Sequence, residues 1–286
     1  MGDSPATTLP KGARVSSRGK IKVRTLDSSD VIVAVVAAAL VLITVYTFAR
    51  MDYGKADLMV AAQEFASDFI TMATTPGVAG HFELSAVVLS VFVTFGLAAI
   101  TTLGGAVIAL LLGLLAACNL SNKAVSNIIK VVMSVARAIP TILWVLVFTV
   151  SIGLGAEACV VGMLFHSVAY LVKAYSESFE EVDAGVLEAL RSSGATWWQI
   201  VARGVIPEKI NEILSWTFIR FEVNFVAAVV VAGLAGSGGI GYYLFLSGNY
   251  YFNIHEIGLI VYLCLGVSVV LEVIATKLRK KFIVNK

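Results

Sequence analysis

The sequence is poor in charge. Asp, Glu, Lys and Arg make up 14% of its 286 residues while 58% are hydrophobic; soluble domains carry about 25% charge. That balance excludes a sizeable water-facing domain and points to a bilayer. Cysteine is scarce too: Cys118, Cys159 and Cys264 stand singly in apolar runs. They form no paired spacing, which leaves them as small buried hydrophobes. His81, His166 and His255 lie far apart and give no metal-ligand spacing. No GxSxG, HExxH or GxxxxGK(S/T) is present. The chain is therefore expected to be no enzyme, and any energy from ATP must come from another chain. A net charge of +2 gives no case for a nucleic-acid partner.

What the sequence does have is long apolar runs. Residues 1–30 are polar and basic, with Lys11, Arg14, Arg18, Lys20, Lys22 and Arg24, and read as a disordered cytoplasmic tail. The run 31–49 has the length of a span, and no Ala-x-Ala site follows it, so an uncleaved first span is expected. From 50 to 83, Leu58, Ala62, Phe65, Phe69 and Met72 recur at helical spacing opposite Asp57, Glu64 and Asp68, before Pro76-Gly77. This predicts an amphipathic helix at the outer interface. Leu84 to Leu120 carries no charge and is longer than the roughly 20 residues one span needs. It fits one tilted helix or two short spans.

Parity decides between these. If the tail and the polar stretch around 176–211 share the cytoplasmic side, the spans between them are even in number. Counting the long run once gives about 31–49, 84–118, 128–152 and 156–175, followed by about 212–234 and 256–276. The distribution of Lys and Arg agrees, because the outer loops hold only Arg50 and Lys55 while Lys277, Arg279, Lys280, Lys281 and Lys286 fall inside. The expected fold is all-α and integral to the membrane, with six transmembrane helices and both termini cytoplasmic. Its parts are a tail at 1–30 and a membrane domain at 31–286, with its core at 84–277.

Charge at membrane depth is costly and faces a cavity or a partner helix. Arg137 precedes Pro140, which is expected to kink the third span and free a carbonyl. Arg220, Glu222 and Asn224 lie in the fifth span. Arg220 and Asn224 share a face at i, i+4. Glu222 points elsewhere and needs a partner, for which Arg137 and Lys173 are candidates. These groups either fix helix packing or line the path of an anionic solute; His166 and Ser167 are further candidates. Gly236, Gly238 and Gly241 spell GxGxxG, with Gly239 between them. A membrane helix precedes them instead of a strand, so a glycine bend is expected and not a nucleotide site.

The polar stretch has specific spacing. Glu188-Ala189-Leu190 is followed after three residues by Gly194, and Ile206-Pro207 closes the segment. Val186, Leu187, Leu190 and Ala195 can share one face of short helices, Gly194 allows a sharp turn, and Pro207 fixes the start of the next helix. This resembles the cytoplasmic Glu-Ala-Ala loop of permease subunits in ATP-binding-cassette importers. Leu190 stands at the third small position, Gly204 at an Ile position and Ile206 at a Leu position. Arg-Ala-Ile-Pro at 137–140, Arg-Phe-Glu-Val-Asn at 220–224 and Gly-Ser-Gly-Gly-Ile-Gly at 236–241 resemble the phosphonate-type branch, though Val226 stands where that branch is expected to have Arg.

The resemblance implies the type I importer permease fold and a path for a phosphonate, phosphite or phosphate. Permeases for methionine share the loop and are the alternative. It also implies a second permease chain, identical or paralogous, and two cytoplasmic ATPase subunits that hold ATP and Mg, this chain binding no cofactor. An extracytoplasmic solute-binding protein would complete the importer. A secondary transporter would show inverted repeats, and none is visible. A membrane phosphatase would need clustered acid/base groups. The one such run, Glu177, Glu180, Glu181 and Asp183, reads as the solvated start of the loop.

Overall fold

The computed structural model describes residues 13–15, 21–23, 28–51 and 57–280. They fall into two compact units, Met1–Glu64 and Phe65–Lys286. In the first unit, strands β1 (Ala13–Val15) and β2 (Ile21–Val23) pair antiparallel, with Ala13 opposite Val23. This is a short ladder in a tail expected to be disordered; the rest of that tail, and Lys55, Lys281 and Lys286, lie outside the described residues. Helix α1 runs Ser28–Arg50, about 35 Å at 1.5 Å per residue. Its apolar side chains, such as Val33, Leu42 and Tyr46, are exposed, which suits a helix that is hydrophobic all round.

Helix α2 (Leu58–Thr74) stops before Pro76-Gly77 as its pattern predicts. The second unit continues with α3 (Leu84–Ala116), α4 (Lys123–Ala138), α5 (Thr141–Ile152), α6 (Ala156–Glu180), α7 (Ala184–Ser192) and α8 (Trp197–Ile200). A π-helical turn at Val201–Val205 leads into α9 (Ile206–Ala235), followed by α10 (Gly239–Asn249) and α11 (Ile254–Arg279). Among the described residues, five helices are long and apolar enough to cross a membrane, or six if α4 and α5 form one broken span. The uncharged run after residue 84 is one 33-residue helix, so counting it once was correct.

Helices α3 and α6 form the centre. Ala98, Thr102, Gly105, Ala109, Gly113 and Ala116 are buried along α3 at three- and four-residue steps. A side chain at Gly105 would meet Ser167 Cβ at 3.2 Å, and one at Gly113 would meet Tyr175 Cβ at 3.1 Å. Small residues let the backbones approach where lipid offers no hydrophobic drive. Helix α5 joins through Gly162, whose missing Cβ leaves room for the Val145 backbone.

Three expectations need correction. The third span, taken as one kinked helix over about 128–152, is two helices bent by 87°. Pro140 has no N–H and forces Ile139 out of the helical region, to φ −87° and ψ 121°. The carbonyl freed four residues back is that of Ala136, and Trp144 Nε1 donates to it at 3.1 Å. The helix that contains the fifth span, expected over about 212–234, starts well before it: Trp197–Ala235 is one continuous 39-residue helix. Its π turn absorbs Pro207, because Ile206 N–H reaches five residues back to Val201 O. Finally, the segment after Gly236, read as an outer loop, contains α10. A side chain at Gly233 would meet Gly241 O at 2.6 Å, and one at Gly241 would run into Val229 O, so α10 folds back tightly on α9.

Candidate functional site

Helix α7 is short, and its ends are built by its own sequence. The Asp183 carboxylate accepts from the N–H groups of Gly185 (2.7 Å) and Val186 (3.2 Å), an N-cap. Gly194 follows the helix with φ +79°, the left-handed stop that glycine adopts without strain. Leu187 is 2% exposed and packs among Leu120, Tyr175, Phe179, Val182, Ile200, Val205 and Ile213. Burying one such side chain stabilises by about 1.5–3 kcal/mol.

Polar bonds fix the same mount. Trp197 Nε1 donates to Leu120 O (2.8 Å), Arg191 Nη2 to Asn119 O (2.5 Å) and Asn119 Nδ2 to Phe179 O (2.8 Å). Lys130 Nζ donates to Glu180 Oε1 at 2.7 Å, and that carboxylate also accepts from Cys118 N–H at 2.7 Å. Helix α7 is thus carried on the turn after α3, the end of α6 and the start of the Trp197–Ala235 helix. Glu188 and Ala189 are exposed on its far side. Val186, expected to share the buried face, is 41% exposed and joins them there. Leu190 and Ala195 are half-buried against the core, and Pro207 is exposed.

Two departures from the Glu-Ala-Ala pattern meet in space. A Cβ at Gly204 would lie 2.7 Å from Leu190 Cδ1. The enlarged Leu190 therefore occupies the room that the missing side chain of Gly204 leaves.

Within the spans, Arg220 (3% exposed) and Asn224 (0%) share a buried face of α9, as their spacing predicts. Arg220 Nε donates to Ser167 Oγ (3.2 Å), and Asn224 Nδ2 donates to Thr102 Oγ1 (2.8 Å) and to Ser167 Oγ (3.0 Å). The chain of contacts joins α3, α6 and α9. The Arg220 guanidinium lies 5.2 Å over the Tyr170 ring, a cation–π contact. Among the described residues no salt bridge joins Arg220 to a carboxylate. Sequence reasoning missed Tyr170, a neutral residue three and four places from Ser167 and His166, and Thr102, which lies in an uncharged run with no candidate near it. Val226 is 51% exposed and points away from this network.

Glu222 lines a different cleft from its two candidate partners. It lines a cleft with Phe95, Phe221, Val270 and Ile274, toward α11. Arg137 and Lys173 lie elsewhere, in a pocket between α4 and α6 with Lys130, Ser134, Ser176, Glu177 and Glu180. Arg137 Nη2 donates to Ser134 Oγ at 3.3 Å, while its buried Nε has no acceptor. His166, also on α6, has its Nδ1 buried without a partner. An unsatisfied buried polar group costs about 1–3 kcal/mol, so such atoms ask for a reason.

At the opposite end of the unit the glycine bend is tight. Gly236, Gly238 and Gly239 have φ of 62°, 77° and 73°, and Ile240 N–H donates to Thr94 Oγ1 at 2.9 Å. Glu256, 2% exposed, accepts from Ala79 N–H (3.2 Å) and Ser247 Oγ (3.2 Å) and contacts His81 Nδ1 at 3.0 Å. It clasps the 76–83 loop, α10 and α11. No sequence pattern singled it out.

Comparisons with known proteins fit this geometry. The phosphate-import permease of Mycolicibacterium smegmatis is 32% identical over 155 residues, which is 54% of this chain and 29% of that protein. The phosphite transport system permease of Stutzerimonas stutzeri is 29% identical over 177 residues, 62% of this chain and 64% of the relative. A probable D-methionine transport system permease of Pasteurella multocida is 29% identical over 164 residues, 54% of this chain and 75% of the relative. The matches thus span less than two thirds of the first two proteins. In fold, a chain of an inward-facing methionine ABC transporter superposes with a TM-score of 0.63 at 20% identity, covering 70% of this chain and 97% of that one. The family model described as binding-protein-dependent transport system inner membrane component matches residues 109–282, more than half of the sequence. The chain belongs to the family of binding-protein-dependent transport system inner membrane components.

Proposed function

We propose that this chain is the permease subunit of an ATP-binding-cassette importer and passes a tetrahedral phosphorus oxyanion: phosphate, phosphite or a phosphonate. The observation that carries the proposal is the mounting of α7. A helix presenting Glu188, Ala189 and Val186 outward, with Leu187 sunk among residues from the ends of α3 and α6 and from the Trp197–Ala235 helix, can transmit a push to the spans without bending.

In this account α7 sits in a cleft of a cytoplasmic ATPase subunit, and both termini of the chain are cytoplasmic. Two permease chains, identical or paralogous, enclose the path. Closure of the two ATPase subunits on ATP and Mg draws the two α7 helices together, and rigid-body rocking of the spans opens the path outward. A solute-binding protein outside the membrane delivers the solute. The permease does no covalent chemistry.

The names of the phosphate and phosphite permeases among the relatives support the solute class. Arg220 supports it physically, as a buried cation balanced by an aromatic face and hydroxyls rather than by a carboxylate. Methionine is the second reading, favoured by the 75% coverage of the Pasteurella permease. Proteoliposomes holding the permease with its ATPase and binding protein, offered radiolabelled phosphate, phosphite and methionine in turn, separate the two. Oxyanion uptake that stops without ATP is expected; uptake of methionine alone would sink the oxyanion reading.

A further inference from the structure

We infer that the seam between α4 and α6 holds a binding station for a tetrahedral phosphorus oxyanion, with Arg137 as its principal ligand and Lys130 and Lys173 beside it. The inference rests on the oxyanion reading above and adds a place where the solute pauses.

Helix α4 is amphipathic in the inverted sense for a membrane helix on the outside of a bundle. Ile128, Val131, Val132 and Val135 are 53–64% exposed, while Lys130, Ser134 and Arg137, at steps of four and three, line the pocket toward α6. Helix α6 answers with His166, Tyr170, Lys173, Glu177 and Glu180, at steps of four, three, four and three. Such spacing keeps one face of a helix in register, so a polar stripe about 21 Å long runs down α6 at 1.5 Å per residue. It begins at Tyr170 and His166, beside the Arg220 network, and ends at Glu180 under the mount of α7.

The pocket on this stripe holds three cations, Lys130, Arg137 and Lys173, against two carboxylates, Glu177 and Glu180. Each carboxylate already faces a lysine: Lys130–Glu180 at 2.7 Å and Lys173–Glu177 at 3.7 Å. Arg137 is the surplus charge. Its hydrogen bond to Ser134 Oγ is long, at 3.3 Å, and its Nε has no acceptor among the described residues. A guanidinium edge with donors to spare, two hydroxyls and two nearby ammonium groups match an oxyanion in charge and geometry. Water would satisfy the donors and leave the charge.

The test uses the permease with its ATPase in nanodiscs of zwitterionic lipid, without binding protein, and measures binding of radiolabelled inorganic phosphate. Arg137→Gln is expected to weaken binding about tenfold or more, and Arg137→Lys to recover part of it. Lys123→Gln, at the exposed start of α4, should change nothing. Glu177→Gln removes a competing carboxylate and should tighten binding several-fold, a gain that misfolding cannot imitate.

A wild-type complex that binds no phosphate, or an assembled Arg137→Gln complex that binds within about twofold of wild type, would overturn the station. Competition by added phosphatidylglycerol would make a lipid headgroup the occupant and overturn the solute assignment. Uptake separates the two levels. Phosphate import with Arg137-independent binding sinks the station alone. Import of methionine only, with Arg137-dependent phosphate binding, sinks the oxyanion reading and with it the assignment of the station to the solute, leaving an anion site with no part in transport.

Discussion

Single residues at the α7 mount are matched to one another. Leu190 fills the place a Cβ at Gly204 would take, 2.7 Å from it, so the two positions should behave as a unit. Gly204→Ile alone overpacks the site and is expected to cost about 1–3 kcal/mol. Leu190→Ala alone leaves a gap. The double variant should be more stable than the sum of the two by about 1 kcal/mol or more, read from thermal unfolding midpoints of the detergent-purified protein. Simple additivity would mean that the two side chains do not compete for one space. Arg220 and Asn224 were legible from their i, i+4 spacing because two helix positions always share a face. Tyr170 and Thr102, which complete their environment, were not, since cross-helix contacts leave no mark on a single helix.

The contacts that hold α7 can be named one by one. Helix α7 is nine residues long, too short to be stable alone in water, and buried Leu187 is its largest apolar anchor beside the Asp183 cap and the Arg191 bond. Leu187→Ala is expected to remove about 2–5 kcal/mol of local stability. Amide hydrogen exchange over residues 184–192 should accelerate accordingly, while Glu188→Gln, on the exposed side, should leave it unchanged; equal protection in both would mean that α7 is held otherwise. The existence of α1, α3, α6, α9 and α11 was legible in the sequence because uncharged runs of that length have few alternatives. The α4–α5 bend was legible as to cause, through Pro140, but not in size. The 87° angle depends on α5 reaching the Gly162 face of α6 and on Trp144 capping Ala136 O. The π turn at Val201–Val205 and the fold-back of α10 escaped for the same reason: each depends on close backbone contact between positions that hydrophobic periodicity does not connect.

The second unit carries the α7 mount near one end, a polar face between α4 and α6, and a clasp around Glu256 near the other. Arg220 and His166 lie near one end of the polar face of α6, and Glu180 at its other end bonds Lys130 of α4 and the Cys118 N–H. The central claim is that α7 receives force from a separate ATPase. Co-purification of that ATPase with the wild-type permease and with Glu188→Arg, combined with ATP-dependent solute uptake by the same preparations, tests it most directly. The account predicts that Glu188→Arg inserts in the membrane and unfolds at the wild-type temperature, yet loses the ATPase and all coupled uptake. Retention of both by Glu188→Arg would contradict it.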